Sequence, residues 1–156
     1  MDSLQTLKST DMFRNVPDEE LAKVAELCKE VSFNKGDVIM EEGSEGLCLY
    51  VIPEGLVSID VRVGDGIYRQ RAYEVTQGDV FGELALFGHK RTARVRAQSD
   101  VRLLEVPVEP FRQLMKEVPR IGYYVMHNLS RILAERLMMA NITMQDVMSR
   151  HHVVGE

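Results

Sequence analysis

Val57-Ser58-Ile59-Asp60-Val61-Arg62-Val63 alternates apolar and polar residues without a break. A period of two puts the four apolar side chains on one face of an extended chain and the polar ones on the other, so the stretch reads as a half-buried strand. Turn signals recur on both sides of it: Asn34-Lys35-Gly36-Asp37, Glu42-Gly43, Pro53-Glu54-Gly55, Gly64-Asp65-Gly66 and Gln77-Gly78-Asp79. They divide residues 31–107 into about eight short strands. No long helical pattern separates the strands, which argues against a parallel α/β sheet. The region is therefore predicted to be an eight-stranded antiparallel jelly roll or closed β-barrel. Gly64-Asp65-Gly66 reads as a hairpin turn, not as a dinucleotide fingerprint.

Helices are predicted on both flanks, giving an α+β fold that is mainly β. Before the strands, Leu21, Val24, Ala25 and Cys28 recur at helical spacing, and Pro17 followed by Asp18, Glu19 and Glu20 suits a helix start. After them comes a short helix over Glu109 to Lys116, a break at Pro119, and a long helix to about Met148. Its apolar residues Leu129, Ile132, Leu133, Leu137, Ala140, Met144 and Val147 recur at steps of three and four, and Val125, Met126, Met138, Met139 and Ile142 widen the stripe. Such a helix must cover something, either the β-structure or a second copy. Arg136 interrupts one seam, so no long coiled coil is predicted. The expected organisation is one domain over 1–156: helices to residue 30, strands over 31–107, helices over 109–148.

The 156 residues are 45% hydrophobic and carry a net charge of −5. An acidic chain is a poor fit to nucleic acid as its main partner. No apolar run reaches the ~18 residues of a membrane span, and the first residues lack the basic and apolar parts of a secretory signal. Cys28 and Cys48 show no metal or redox spacing, so both are expected to be reduced, structural and cytoplasmic. His151-His152 is expected to be a solvated tail, with no metal site. No nucleophile–histidine–acid set, paired carboxylates or Walker loop is legible, so no catalysis is predicted.

The informative segment is Phe81-Gly82-Glu83-Leu84-Ala85-Leu86-Phe87-Gly88-His89-Lys90-Arg91-Thr92-Ala93. Gly82 permits a backbone geometry closed to other residues, or the close approach of a ligand. Glu83 to Leu86 favours one short helical turn whose first amides lack intrahelical partners. Arg91 offers a planar donor fork for phosphate oxygens, and Thr92 adds a hydroxyl. A phosphate alone would not want the carboxylate of Glu83. A ligand bearing both a phosphate and sugar hydroxyls would. Lys90, Arg94 and Arg96 are expected on a solvated strand face.

This segment resembles the phosphate-binding cassette of the cyclic nucleotide-binding domain family. The likeness extends to Asn34-Lys35-Gly36-Asp37-Val38-Ile39 with Glu42-Gly43, to Leu49-Tyr50-Val51-Ile52 with Glu54-Gly55, and to Gly78-Asp79-Val80-Phe81-Gly82-Glu83. The resemblance implies that Glu83 accepts from the ribose 2′-hydroxyl and that Arg91 pairs with the cyclic phosphate. Backbone amides of Leu84, Ala85, Thr92 and Ala93 would complete the cradle. It places the base near Val61, Val63, Arg71 and Tyr73, with a cap from the long helix at Arg136, Met139, Ala140 or Asn141. Thr92 leans toward cyclic GMP, although cyclic AMP binders carry hydroxyls there too. Two departures stand out. The Glu83-to-Arg91 connection is one residue short, with Lys90 where the family often has proline. Ala140 and Asn141 stand where a cyclic AMP-binding activator has hydroxyl residues.

The expected function is that of a sensor of cyclic AMP or cyclic GMP, with no other cofactor, that signals by moving its C-terminal helix. A homodimer through that helix and a further protein partner are expected, with no direct nucleic acid or membrane contact. The alternatives are a non-binding interaction scaffold of the same fold and the detached sensory half of a transcription regulator, since no DNA-reading helix-turn-helix follows Met148.

Overall fold

The computed structural model describes residues 2–64 and 68–154. Helices α1 (Ser3–Lys8) and α2 (Asp18–Leu27) flank a 3-10 turn at Asp11–Phe13. Eight strands follow among the described residues: β1 (Lys29–Phe33), β2 (Val38–Met40), β3 (Cys48–Glu54), β4 (Leu56–Val63), β5 (Tyr68–Thr76), β6 (Val80–Phe81), β7 (Arg94–Ala97) and β8 (Val101–Pro107). A second 3-10 turn, Glu83–Phe87, separates β6 from β7, and helices α3 (Val108–Glu117) and α4 (Pro119–Val154) complete the fold. Asp2 caps α1 by accepting from the Leu4 and Gln5 amides, and Pro17 precedes the acidic first turn of α2. Of the Gly64-Asp65-Gly66 turn, Asp65 and Gly66 lie outside the described residues.

The strands form a jelly roll of two antiparallel four-stranded sheets, ordered β1-β8-β3-β6 and β2-β7-β4-β5. This corrects the closed-barrel alternative: among the described residues no ladder joins one sheet to the other. The chain changes sheets at tight turns, and the ladders end there. Gly55, between β3 and β4, is one such corner. Its φ is +118°, and a Cβ there would lie 2.4 Å from Val101 Cγ1. Only glycine fits both conditions.

Strand β3 shows how one sequence run serves two cores. Cys48, Tyr50 and Ile52 face the space between the sheets, packed with Val57, Phe81, Val95 and Leu103. Leu49 and Val51 face the helices, packed with Phe13, Leu21, Leu104 and Phe111. A strand covered on both faces needs a continuous apolar run, and Cys48-Leu49-Tyr50-Val51-Ile52 is one.

Helix α4 behaves as two lengths. Ile121, Val125 and Leu129 are buried against the helical core. Asn128 is 2% exposed; its Nδ2 donates to Met12 O at 3.0 Å and to Arg14 O at 2.8 Å. Arg131 pairs with Asp11 at 3.1 Å. From Leu137 to His152 every side chain is exposed, including Met138, Met139, Ile142, Met144, Val147 and Met148.

Candidate functional site

The 81–93 segment leaves the short strand β6 and returns into β7. Gly82 has φ +75°, and a Cβ there would sit 2.9 Å from Arg91 Nη1. The bend therefore needs glycine both for its left-handed backbone and for the room that the guanidinium takes. Gly88, at φ +82°, ends the Glu83–Phe87 turn. Loop 41–47 braces the far arm: Arg91 N donates to Ser44 O at 2.9 Å, and Gly43 N donates to Arg91 O at 2.8 Å.

Arg91 is 7% exposed. Its Nη1 donates to Gly82 O at 3.2 Å, and its Nη2 donates to Cys48 O at 2.6 Å and lies 3.8 Å from Cys48 Sγ. These contacts use some of the guanidinium's donors and fix its plane. Among the described residues no carboxylate forms an ion pair with it. A buried cation held only by neutral carbonyls has strong residual affinity for an anion.

Glu83, 6% exposed, does not pair with Arg91 despite their closeness in sequence. Its Oε1 accepts from Arg136 Nη1 of α4 at 2.6 Å. Arg136 Nη2 donates to Val80 O, also at 2.6 Å, and the Arg136 guanidinium lies 5.7 Å from the centre of the Tyr73 ring. Burial raises the Tyr73 hydroxyl above its ordinary pKa, while Arg136 pulls it the other way. Burial likewise raises the Cys48 thiol; Tyr50 and Arg91 oppose the rise.

Glu83 and Arg91 share the wall of an open cavity. Phe81, Gly82, Leu84, Ala85, Thr92 and Ala93 line it as well, with Tyr73 on the β5 side. Thr92 is exposed there. The Ala85 amide donates to Gly82 O at 3.3 Å within the turn.

Other residues singled out in the sequence lie elsewhere. Val61 packs at the edge of the intersheet core, and neither it nor Val63 lines the cavity. Arg71 is turned away by a β-bulge: β4 and β5 shift register between Ile59, which faces Tyr73, and Asp60, which faces Arg71. The extra residue, Ala72, puts Arg71 on the outer face, where it bonds Glu74 and Gln98. Arg136 reaches the site through Glu83, whereas Met139, Ala140 and Asn141 are exposed beyond it. The wall also includes Met40, Ile59, His89, Lys90 and Val95. Ile59 and Val95 were readable as inward positions of alternating strands, but not as cavity positions. The basic residues of this region find acids nearby: Arg94 pairs with Glu41 at 2.7 Å and Lys90 lies 3.8 Å from Glu45.

The sequence profile of the cyclic nucleotide-binding domain matches residues 30–118. The chain is 36% identical over 114 residues to the cAMP-dependent protein kinase regulatory subunit of Dictyostelium discoideum, covering 72% of this chain and 35% of that subunit. It is 29% identical over 135 residues to glutaminase 1 of Bradyrhizobium diazoefficiens, covering 86% of this chain and 21% of that enzyme. It thus spans roughly a fifth to a third of the length of these curated relatives. Among solved structures, the regulatory domain of Toxoplasma gondii PKA with cAMP superposes with a TM-score of 0.73 at 27% identity, covering 85% of this chain and 49% of that one. With more than half its length matched by the profile and the cassette folded as a glycine bend, a short turn and a buried arginine, the chain belongs to the cyclic nucleotide-binding domain family.

Proposed function

We propose that this chain is a sensor module that binds cyclic AMP or cyclic GMP in the cavity beside Arg91 and signals by repositioning α4. The observation that carries this reading is the buried guanidinium of Arg91, which lies on a cavity wall with no carboxylate partner among the described residues. A cyclic phosphate supplies the missing negative charge, and the planar fork suits its oxygens. Glu83 offers an acceptor for a sugar hydroxyl on the same wall, and Tyr73 lines the cavity on the β5 side, where a base can rest. The Dictyostelium and Toxoplasma relatives, named for cAMP, support the ligand class.

The module does no chemistry in this reading. The likeness to glutaminase 1 covers 21% of that enzyme, so it argues for a shared module rather than a shared reaction. We place the chain in the cytoplasm, where Cys28 and Cys48 remain free thiols. No helix among the described residues is long and apolar enough to cross a membrane. The exposed apolar stripe of distal α4 supports self-association or a protein partner through that surface.

A thermal-shift titration tests the proposal. A ligand at ~100 times its dissociation constant adds about 2.7 kcal/mol of stability. A rise in melting temperature with cyclic AMP or cyclic GMP, and none with the linear 5′-monophosphates, is expected. No rise with either cyclic nucleotide at millimolar concentration favours the inert scaffold.

A further inference from the structure

We infer that His89 is a further ligand-contacting residue whose imidazolium meets the cyclic phosphate beside Arg91, so that the cavity takes up a proton with its ligand and binds more tightly as pH falls. The inference rests on the proposed ligand reading of that cavity. It goes further in adding a titrating contact to the fixed charge of Arg91.

Three observations carry it. Gly88 ends the Glu83–Phe87 turn, and only His89 and Lys90 lie between it and Arg91. An arm of two residues has little slack, and His89, Lys90 and Arg91 all line the cavity. Secondly, the backbone of His89 is turned to the protein. Its N–H donates to Leu84 O at 3.4 Å, and its carbonyl faces loop 41–47, where a Cβ on Gly46 would lie 3.1 Å from it. The side chain is therefore what His89 offers the cavity. His89 is exposed, and among the described residues its side chain forms no hydrogen bond or ion pair. Thirdly, the other charges around this wall are already matched. Lys90 Nζ lies 3.8 Å from Glu45 Oε1 on loop 41–47. On the same loop Glu41 pairs with Arg94 and Glu42 with Arg62. Glu83 on the turn accepts from Arg136 of α4, and Arg112 of α3 pairs with Glu109. Burial raises the Tyr73 hydroxyl on β5 and the Cys48 thiol behind Arg91, so both keep their protons. Among the kinds of group around the cavity, imidazole is the one that ordinarily changes charge between about pH 5 and 8.

A cyclic phosphate is anionic throughout that range. Against it the imidazolium is favoured over the neutral ring, so the complex holds the proton to higher pH than the free chain does. The gain in affinity is fully present below the titration of the free chain and is lost as pH rises through that of the complex. An exposed contact of this kind is screened by water, which limits the gain to about two- to fivefold in dissociation constant.

The test is calorimetric titration of the full chain, of His89→Gln and of His89→Lys with cyclic AMP and cyclic GMP, from about pH 8 to about pH 6, in buffers of different ionisation enthalpy. The wild type is expected to bind about two- to fivefold more tightly at the acid end and to take up about 0.2–0.4 proton per ligand at the midpoint of the change. His89→Gln should lose both the slope and the proton uptake. His89→Lys carries its charge at every pH tested and should bind at the alkaline end as tightly as the wild type does at the acid end. A wild type that binds with no pH dependence and no proton uptake overturns the inference. So does a His89→Gln that keeps the slope, since another group would then be titrating. Equal loss of binding in both variants at every pH overturns it too, since His89 would then only support the fold. If the wild type binds neither nucleotide at any pH, the ligand reading of the cavity fails and the inference falls with it. Binding with the wrong response to pH leaves that reading standing.

Discussion

Asn128→Ala removes the amide that ties the proximal half of α4 to the N-terminal segment. The side chain is 2% exposed and makes two bonds, to Met12 O at 3.0 Å and to Arg14 O at 2.8 Å. Each carbonyl left without a donor costs about 1–3 kcal/mol when buried. The Met12 contact is buried and the Arg14 contact only partly so, hence water can replace the second donor more readily. A loss of about 2–4 kcal/mol is expected. For a chain of this size 1 kcal/mol moves the melting midpoint by about 2–4 °C, so the midpoint should fall by about 5–15 °C. The assays are thermal and urea denaturation followed by circular dichroism, with the slope against denaturant unchanged. Asp146→Ala, in the exposed length of the same helix, is the control and should shift stability by no more than about 0.5 kcal/mol. A change below about 0.5 kcal/mol for Asn128→Ala, or equal changes for the two variants, would refute the division of α4 into a clamped and an unclamped length.

Further outcomes are expected. Gly82→Ala should destabilise the chain by about 1–2 kcal/mol through its left-handed backbone and abolish cyclic nucleotide binding, because the new methyl lies 2.9 Å from Arg91 Nη1; calorimetry and urea melts check both. Burial pushes the Cys28 thiol up to about 12 from 9.0. Above about pH 9 the unfolded chain releases this proton and the folded chain keeps it, so stability should fall as pH rises from about 9 toward 12; Cys28→Ala should flatten that fall in urea melts, and an identical slope would contradict it. Leu137→Glu with Ile142→Glu should yield monomers in sedimentation velocity under conditions where the wild type sediments as a dimer; a wild type that is monomeric at high concentration would remove self-association as the role of the stripe.

Much of the fold was legible because local signals agreed with the tertiary result. The alternation of Val57 to Val63 became β4, the turns at Gly36, Gly43, Gly55 and Gly78 became connections between the two sheets, and Pro119 starts α4. The choice between a closed barrel and two open sheets was not legible, since it depends on which ladders meet. Arg71 shows a second limit. Its distance in sequence from Tyr73 implies the same face, and the bulge at Ala72 reverses it. The cassette's own residues line one cavity because they are close in sequence and share one bend. The partner of Glu83 comes from 53 residues away. Nothing in the local spacing could reveal that pairing, although Arg136 stood out as a charge inside an apolar stripe. Arg91 and Glu83 invite reading as a mutual ion pair, and burial of both with different partners separates them.

The most direct measurement is the calorimetric affinity of wild-type chain and Arg91→Ala for cyclic AMP and cyclic GMP. Loss of a buried charge partner should weaken binding by about 2–5 kcal/mol, or about 30-fold to beyond 1000-fold in dissociation constant, with the variant still folded. Equal affinity of the two proteins for the cyclic nucleotide that binds best would contradict the assignment of the cavity beside Arg91 as its site.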